Sequence, residues 1–348
     1  MRIIGSGSCI PEVTLSNEHF ENRRFLNQDG NPLNYSTETI ISKFAAITGI
    51  EERRHAKPSQ VASDLASDAS AKALACAGVD PESIDYIIMA HNFGDVRSGS
   101  SQSDAVPSLA ARIKNRLGIK NPECVAYDLL FGCPGWIEGM IQANAFVSSG
   151  IARRCLVVGG ETLSRVSDAC DRDSMIYADG AGAVVVEAGA GGVLSHISAS
   201  HTLNEAGFLY LGSSHDPKGD PDQRYIKMQG RKIYEFALSH VPEAMKRCLE
   251  KAGIDITEVK KILIHQANEK MDQAIVSRFY GLYNMAPPAG IMPMSIRLLG
   301  NSSVATVPTL YDLIRRGEMP GHRFDSGGII LFASVGAGMN INAMAYRI

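Results

Sequence analysis

The sequence has little of what marks proteins that bind nucleic acid or cross membranes. Lys and Arg number 34 against 37 Asp and Glu, and the net charge of −3 provides no basic surface for nucleic acid. Aromatic residues make up only 7% of the chain, so few rings are present on which bases could stack. No apolar run reaches the roughly 20 residues that span a bilayer, and the first residues have a strand pattern instead of a signal peptide. We therefore expect a cytoplasmic protein with no membrane span and no bound nucleic acid.

Paired cysteines are absent as well. The seven cysteines are an odd number, and no two of them have the C-x-x-C spacing. This pattern argues against a disulfide framework and against a zinc site, so we expect reduced thiols and no metal.

Short apolar runs alternate with segments of helical periodicity. Strands are predicted at 86–90, 125–131, 155–158, 183–187, 261–265 and 328–333. Helices are predicted at 61–77, 105–117, 136–149, 233–252, 268–280 and 304–315. Alternation of this kind predicts an α/β fold in which helices form layers against sheets.

The chain divides into two halves of similar plan. Each half has a helix, a strand, a turn with reactive side chains and a further helix, and three glycines within 189–192 indicate a connection between them. We predict an N-terminal half at 1–190 and a C-terminal half at 191–348. Two insertions, 22–36 and 94–104, are interpreted either as functional walls of a site or as solvated loops.

A nucleophile is indicated at Cys133. The run Phe-Gly-Cys-Pro-Gly at 131–135 joins a predicted strand to a predicted helix, and such a turn can expose one side chain at a helix N-terminus. Backbone N–H groups there favour the thiolate, so we expect the thiol pKa to fall from about 8.5 towards neutrality.

Two further side chains are candidates for the same site. His265 ends a predicted strand, where the active-site groups of open α/β sheets collect, although a hydrogen-bonded structural histidine is an equal alternative. Asn301 lies in Gly-Asn-Ser-Ser at 300–303 and is most simply a helix N-cap. Spacing alone does not bring Cys133, His265 and Asn301 into one pocket.

Three segments occur in the order typical of one enzyme family: the turn 132–135, His-Gln-Ala-Asn at 265–268, and 300–303. Shorter matches extend over nearly the whole chain, at 48–54, 63–66, 157–161, 171–172 and 178–183. On these residues the chain resembles the ketoacyl-acyl carrier protein synthase III family of the thiolase superfamily. The resemblance implies a thiolase-like fold of two α/β halves in α-β-α-β-α layers, with the cysteine in the first half and the histidine and asparagine in the second.

The resemblance also implies a decarboxylative Claisen condensation of an acyl primer with a malonyl thioester on acyl carrier protein. Cys133 would carry the acyl group, and His265 and Asn301 would donate hydrogen bonds to the enolate. The backbone N–H of Cys133 and, in the turn 333–338, that of Ser334 would form the oxyanion hole. No tightly bound cofactor is implied, because the substrates are pantetheine-linked thioesters of carrier protein or coenzyme A.

Binding residues are carried over from the same resemblance. Those implied for carrier or substrate binding are Arg172, Arg231, Gln266, Ala267, Asn268, Lys270 and Arg278. Bases along the helix after His265 suit an acidic carrier protein, and we favour this interpretation over the alternative of a solvated helix face.

Two departures from the family bear on the primer. Lys43 and Ile47 stand where a Trp and an Arg commonly hold the adenine of coenzyme A, so we expect a primer on carrier protein, or coenzyme A bound differently. Val106 stands before Pro107, where the family closes the acyl pocket of the partner subunit in a homodimer, often with an aromatic residue. We expect a longer acyl chain than acetyl.

Other functions stay open. The chain could be a specialised ketosynthase that joins two long acyl thioesters or makes an alkyl-resorcinol-type precursor, with Asp95 or Asp104 as an extra base. It could also be a non-catalytic partner subunit or a cysteine hydrolase.

Overall fold

The computed structural model describes residues 1–348, which form fifteen β-strands and eight α-helices. The strands are β1 Arg2–Cys9, β2 Val13–Ser16, β3 Glu52–His55, β4 Tyr86–Ala90, β5 Asp95–Val96, β6 Ser103–Asp104, β7 Val125–Leu129, β8 Arg154–Thr162, β9 Asp179–Glu187, β10 Gly192–Ser200, β11 Leu209–Gly212, β12 Tyr225–Met228, β13 Val259–Ile264, β14 Ile329–Gly336 and β15 Asn340–Arg347. The helices are α1 Thr37–Thr48, α2 Ala62–Ala77, α3 Leu109–Arg116, α4 Gly135–Ser148, α5 Gly230–Ala252, α6 Glu269–Gly281, α7 Ile296–Leu299 and α8 Thr306–Arg315.

Two mixed sheets form the body of the protein. The first has the order β1-β9-β8-β4-β7 and the second the order β10-β15-β14-β13. In the first, β4 is parallel to β8, and β9 is antiparallel to both of its neighbours. In the second, β13 is parallel to β14, and β15 is antiparallel to both of its neighbours. This repeated order of pairing supports our proposal of two halves, 1–190 and 191–348.

Side chains that alternate along the strands separate the layers. In β4, Ile87 and Met89 pack in one cluster with α2 and α3, whereas Ile88 faces α4 and α8 on the other side of the sheet. The second sheet is covered on its outer face by α5 and α6. Trp136 of α4 and Phe332 of β14 meet in the central cluster with their ring centroids 5.9 Å apart.

The predicted α/β fold with α-β-α-β-α layers is therefore confirmed, and α4 and α8 form the central layer. Within the glycine-rich run 178–183, Gly182 packs closely against α8. A side chain on Gly182 would place its Cβ 2.7 Å from the backbone nitrogen of Thr309 in α8. No helix combines the length and the apolar character required to cross a membrane.

Several element bounds differ from the prediction, each for a local reason. β7 ends at Leu129 instead of 131 because Gly132 has φ +66°, which turns the chain out of the sheet. α3 begins at Leu109 instead of 105, since Ser108 caps it by accepting a hydrogen bond from the N–H of Ala111. β8 continues to Thr162, because pairing with β9 outweighs the low strand propensity of two glycines.

Candidate active site

Cys133 lies on the short turn between β7 and α4. Gly132 precedes it in a left-handed conformation, and a Cβ on Gly132 would lie 2.7 Å from the backbone nitrogen of Ala337. Glycine is therefore required for this turn to pack against the turn 336–338 of the second sheet. Part of the surface of Cys133 is open to solvent.

His265 directly follows β13 and is anchored by its backbone. Its N–H donates to the carbonyl oxygen of Ala333 over 2.9 Å, which continues the pairing of β13 with β14. Burial lowers the pKa of His265 to about 4, and a backbone contact from Ser303 acts in the opposite direction. The imidazole is therefore neutral near pH 7 and can donate one N–H.

Both backbone polar groups of Asn301 form hydrogen bonds. Its N–H donates to the carbonyl oxygen of Ile176, and its own carbonyl oxygen accepts from the N–H of Ala178. The side-chain Oδ1 accepts from the N–H of Ser303 over 2.8 Å. Because Oδ1 is thus engaged, the buried amide has its Nδ2 hydrogens available for a ligand.

Ser303 connects the three candidate residues. Its hydroxyl lies 3.4 Å from the sulfur of Cys133, its N–H is bound by Asn301, and its backbone contacts the ring of His265. Ser303 has φ +54°, a left-handed conformation that non-glycine residues rarely adopt. The structure therefore brings together side chains that lie far apart in the sequence.

The sequence-based expectation for the thiol of Cys133 is wrong in direction. Burial raises the pKa of Cys133 to about 11; the hydrogen bond from Ser303 acts to lower it, and the charge of Glu161 raises it further. A helix N-terminus favours the thiolate, but at Cys133 the cost of placing a charged sulfur among densely packed protein atoms outweighs this effect. The resting site therefore holds a neutral thiol.

Glu161 and Asn92 lie beside these residues, although neither is among the site residues predicted from sequence. Glu161 is fully buried, and its Oε2 accepts from both the N–H and the Nδ2 of Asn92, each over 2.9 Å. Asn92 Nδ2 also donates to the hydroxyl of Ser303 over 3.1 Å. From sequence, Glu161 was only part of a matching segment. The available signal was a carboxyl group at the end of an apolar strand, where burial requires a polar partner.

Two sequence-predicted site residues need correction. Ser334 is buried inside β14 opposite Asn342, whereas the residue of that turn that touches Cys133 is Gly336. A Cβ on Gly336 would overlap the backbone nitrogen of Cys133 and lie 2.9 Å from its Cβ. β14 ends at Gly336, three residues beyond the predicted strand end at 333, so the turn lies further along the chain.

Gln266 is the second correction, because it binds backbone instead of facing a substrate. Its Nε2 donates to the carbonyl oxygen of Pro293, and its Oε1 accepts from the N–H groups of Ser295 and Ile296 over 2.8 and 3.1 Å. The side chain is fully buried. It therefore fixes the segment 293–296 and is not available to a ligand.

The other predicted binding residues lie at the surface and make no hydrogen bond to Cys133, His265 or Asn301. Asn268 caps α6 by accepting from the N–H of Met271, and Ala267 lies between it and Gln266. The charged residues among them are exposed: Lys270, Arg278, Arg231 and Arg172. Arg278 donates to the carbonyl oxygen of Leu238. Arg231 is paired with Glu235, and Arg172 with Asp173.

The second insertion contributes structural contacts. Asp95 is buried and binds Ser63 and Arg112, and Asp104 binds the same Arg112. Both carboxylates are thus occupied by partners within the loop and its neighbours. His91 is bound to Asp128 over 2.9 Å. No group of three or more His, Cys, Asp or Glu side chains is arranged to hold a metal ion.

Alkylation of Cys133 tests the direction of its pKa shift. Because burial raises the pKa to about 11, we expect the rate with iodoacetamide to rise about tenfold per pH unit between about pH 7 and pH 10. Mass spectrometry of the Cys133 peptide measures the rate, and the exposed Cys76 in the same sample is the reference thiol. A rate at Cys133 that levels off below about pH 8 would contradict the prediction.

Comparisons with known proteins show to which family the chain is similar. The family 3-Oxoacyl-[acyl-carrier-protein (ACP)] synthase III matches residues 127–202, and its C-terminal family matches residues 249–348. A β-ketoacyl-acyl carrier protein synthase III from Staphylococcus aureus is 32% identical over 348 residues, covering 99% of this chain and 98% of that protein.

Solved structures extend the likeness to the whole fold. The synthase III of Thermus thermophilus has a TM-score of 0.82 and 30% identity, covering 100% of this chain and 99% of that one. The priming β-ketosynthase of the R1128 polyketide pathway has a TM-score of 0.82 and 28% identity, covering 100% and 96%. The chain belongs to the 3-oxoacyl-acyl carrier protein synthase III family of condensing acyltransferases.

Proposed function

We propose that Cys133, His265 and Asn301 catalyse the condensation of an acyl thioester primer with malonyl-acyl carrier protein. The observation that carries this proposal is the contact of all three residues with Ser303. In the first half-reaction the sulfur of Cys133 bonds to the acyl carbon, and the carrier thiol leaves with the proton of the cysteine. In the second, the malonyl group loses carbon dioxide, its α-carbon attacks the acyl carbon, and the bond to Cys133 breaks to leave a thiolate, which takes a proton from water.

Acyl transfer places negative charge on the carbonyl oxygen of the tetrahedral intermediate. The backbone N–H of Cys133, at the start of α4, supports one donor for this oxyanion. The turn 336–338 is the proposed source of the second donor, because Gly336 packs directly against Cys133. Since the resting thiol is neutral, its proton moves as the new carbon–sulfur bond forms.

Decarboxylation places negative charge on the malonyl thioester oxygen. A neutral imidazole at His265 and the free Nδ2 of Asn301 suit this oxygen, because both are buried hydrogen-bond donors without a net charge. Donors in such an environment interact with developing charge more strongly than they would in water. The two residues thus act in the second half-reaction, after the acyl group is on Cys133.

Separate assays of the two half-reactions test these roles. In Cys133→Ala we expect no acyl adduct by intact-protein mass spectrometry and no 3-oxoacyl product. In Asn301→Ala we expect the adduct to form, with malonyl-dependent release of carbon dioxide about 100- to 1,000-fold slower. Cys76→Ala, at an exposed thiol on α2, is the matched control and should behave as wild type. Product formation by Cys133→Ala would refute the assignment.

We infer that acyl carrier protein docks beside α6. This helix begins four residues after His265, and Lys270 and Arg278 are exposed along it. Positive charges at such a rim attract an acidic partner and mainly raise the rate of encounter. Arg231 contributes less, because Glu235 neutralises it over 2.8 Å.

Reversal of the α6 charges tests this docking surface. For Lys270→Glu with Arg278→Glu, we expect kcat/KM for the carrier-bound malonyl substrate to fall about tenfold at low salt, with a smaller fall at high salt. Turnover of a small pantetheine thioester should stay unchanged. Arg323→Glu is the control, since Arg323 is exposed near the opposite, amino end of β14. Equal losses in the control would argue against the surface.

We propose further that the protein is a homodimer in which Val106 closes the partner's acyl pocket. β7 is an edge strand of the first sheet, and its backbone groups on one side are free to pair. Val125 and Leu130, at its two ends, are 43% and 67% exposed, and Val106 is 88% exposed. An apolar surface of this kind is typical of an interface. Because Val is smaller than an aromatic residue, we infer that the pocket accepts more than an acetyl group.

Sedimentation tests the homodimer, and enlarging Val106 tests its place in the acyl pocket. Sedimentation of the wild type should give twice the chain mass of 37.4 kDa. In Val106→Trp we expect the longest acyl chain found on Cys133 to shorten while acetyl transfer persists. Ile151→Trp, at an exposed apolar residue after α4, should leave chain length unaltered. A monomeric wild type, or a Val106→Trp variant with unchanged chain length, would count against it.

A further inference from the structure

Glu161 is a buried ionisable group near Cys133, and the proposed reaction does not use it. It lies one residue before the end of β8 and is fully buried. Its Oε2 accepts two hydrogen bonds from Asn92, whereas its Oε1 is buried without a hydrogen-bond partner. A carboxyl group in this setting costs free energy, so a role that offsets the cost is expected.

The contacts of Asn92 define how its amide is oriented. Nδ2 donates one hydrogen to Glu161 Oε2 over 2.9 Å and the other to the hydroxyl oxygen of Ser303 over 3.1 Å. Oε2 also accepts the backbone N–H of Asn92, so it acts as an acceptor both in the carboxylate and in a carboxylic acid with its proton on Oε1, and the nitrogen side of the amide faces it. With the amide so fixed, the hydroxyl of Ser303 must accept from Asn92.

The hydroxyl of Ser303 then has one direction left for its own hydrogen. A serine hydroxyl donates a single hydrogen, and the sulfur of Cys133 lies 3.4 Å from its oxygen. Asn92 offers that oxygen only a donor. The hydrogen therefore points to the sulfur, and the direction of every hydrogen bond from Glu161 to Cys133 is determined.

We propose that Glu161 is a positioning residue that acts through Asn92 and Ser303 to keep a hydrogen-bond donor on the sulfur of Cys133. This inference rests on the proposed role of Cys133 as nucleophile. A donor on the sulfur stabilises the thiolate relative to the thiol, and it also holds the sulfur in one place for attack on the acyl carbon. The chain of hydrogen bonds, Glu161 to Asn92 to Ser303 to Cys133, is called the relay below.

The charge of Glu161 opposes the effect of the relay. A carboxylate near the sulfur raises the pKa of Cys133, while the donor from Ser303 lowers it. Burial raises the pKa of Glu161 itself to about 7, partly offset by His91 and Asn92. The carboxyl group is therefore close to half ionised near neutral pH, so its charge and its contacts must be separated by mutation.

Other ionisable groups around the relay are His91, Tyr177 and His265. Burial alone would lower the pKa of His91, but its hydrogen bond to Asp128 and the charge of Glu161 raise it. Tyr177 faces Cys133 and stays neutral, because burial raises its pKa well above the ordinary value. His265 is neutral above about pH 4. None of them donates to Ser303 Oγ or to the sulfur.

The experiment measures the apparent pKa of the Cys133 thiol from the pH dependence of its alkylation. We compare Glu161→Gln with Glu161→Met. The two new side chains are uncharged and similar in length, but only Gln has an oxygen that accepts a hydrogen bond from Asn92. We expect Glu161→Gln to react faster than wild type, since a charge is lost. Glu161→Met should react about tenfold more slowly than Glu161→Gln, since the donor to the sulfur is no longer oriented.

Removal of the intermediate groups completes the test. We expect Ser303→Ala and Asn92→Ala each to slow alkylation of Cys133 about tenfold. The variant that carries both substitutions should be no slower than Ser303→Ala alone. In the Ser303→Ala background, Glu161→Gln and Glu161→Met should react equally. Unfolding midpoints confirm that each variant is folded.

Equal rates for Glu161→Gln and Glu161→Met with Ser303 present, or additive effects of Asn92→Ala and Ser303→Ala, would overturn the relay. The assay reads the thiol and not turnover. Failure of the relay is therefore distinct from failure of the proposed function, which Cys133→Ala tests.

Discussion

The left-handed backbone at Ser303 is the constraint on which the site depends. A non-glycine residue at φ +54° costs about 1–3 kcal/mol, and it persists only where surrounding contacts enforce it. Here Asn301 accepts the N–H of Ser303, and α8 follows within one short turn. In this conformation the backbone reaches His265 and the hydroxyl reaches Cys133. The three side chains are thus arranged when the protein folds, before a substrate arrives.

The layered fold explains why both sheets contribute residues to the candidate active site. α4 and α8 lie side by side between the sheets, and Cys133 and Asn301 precede their first turns. His265 is at the carboxyl end of β13, and the turn after β14 packs against Cys133. The positive ends of two helix dipoles therefore lie near the atoms where a thiolate, an oxyanion and an enolate form in turn. Gly182 allows α8 to pack closely against β9, because any side chain at this position would push the two elements apart.

Sequence patterns predicted the layers because apolar alternation and helical periodicity are local properties. Residues such as Ile87 and Ile88 face opposite layers, as their alternation requires. The site needed contacts between residues far apart in the chain. Gln266 was misassigned because its partners lie in 293–296, and the thiol pKa because burial depends on the whole fold. Local patterns indicated Cys133, His265 and Asn301 singly and the resemblance joined them into one site, whereas the contacts of Ser303 could not be predicted from spacing.

Neutrality of the resting site follows from these placements and bears on catalysis. Burial favours the thiol at Cys133 and the neutral imidazole at His265, and it brings Glu161 close to half protonation near pH 7. A site that holds few fixed charges has little attraction for bulk water or stray ions. The charge of the reaction then forms first on the acyl oxygen and later on the malonyl oxygen. Each charge meets donors already in position, where low polarity makes the interaction strong and no reorganisation is required. A lower resting pKa at Cys133 would place a permanent anion in the site before the primer arrives, at a cost in lost hydration. A thiol that loses its proton only as it attacks avoids that cost.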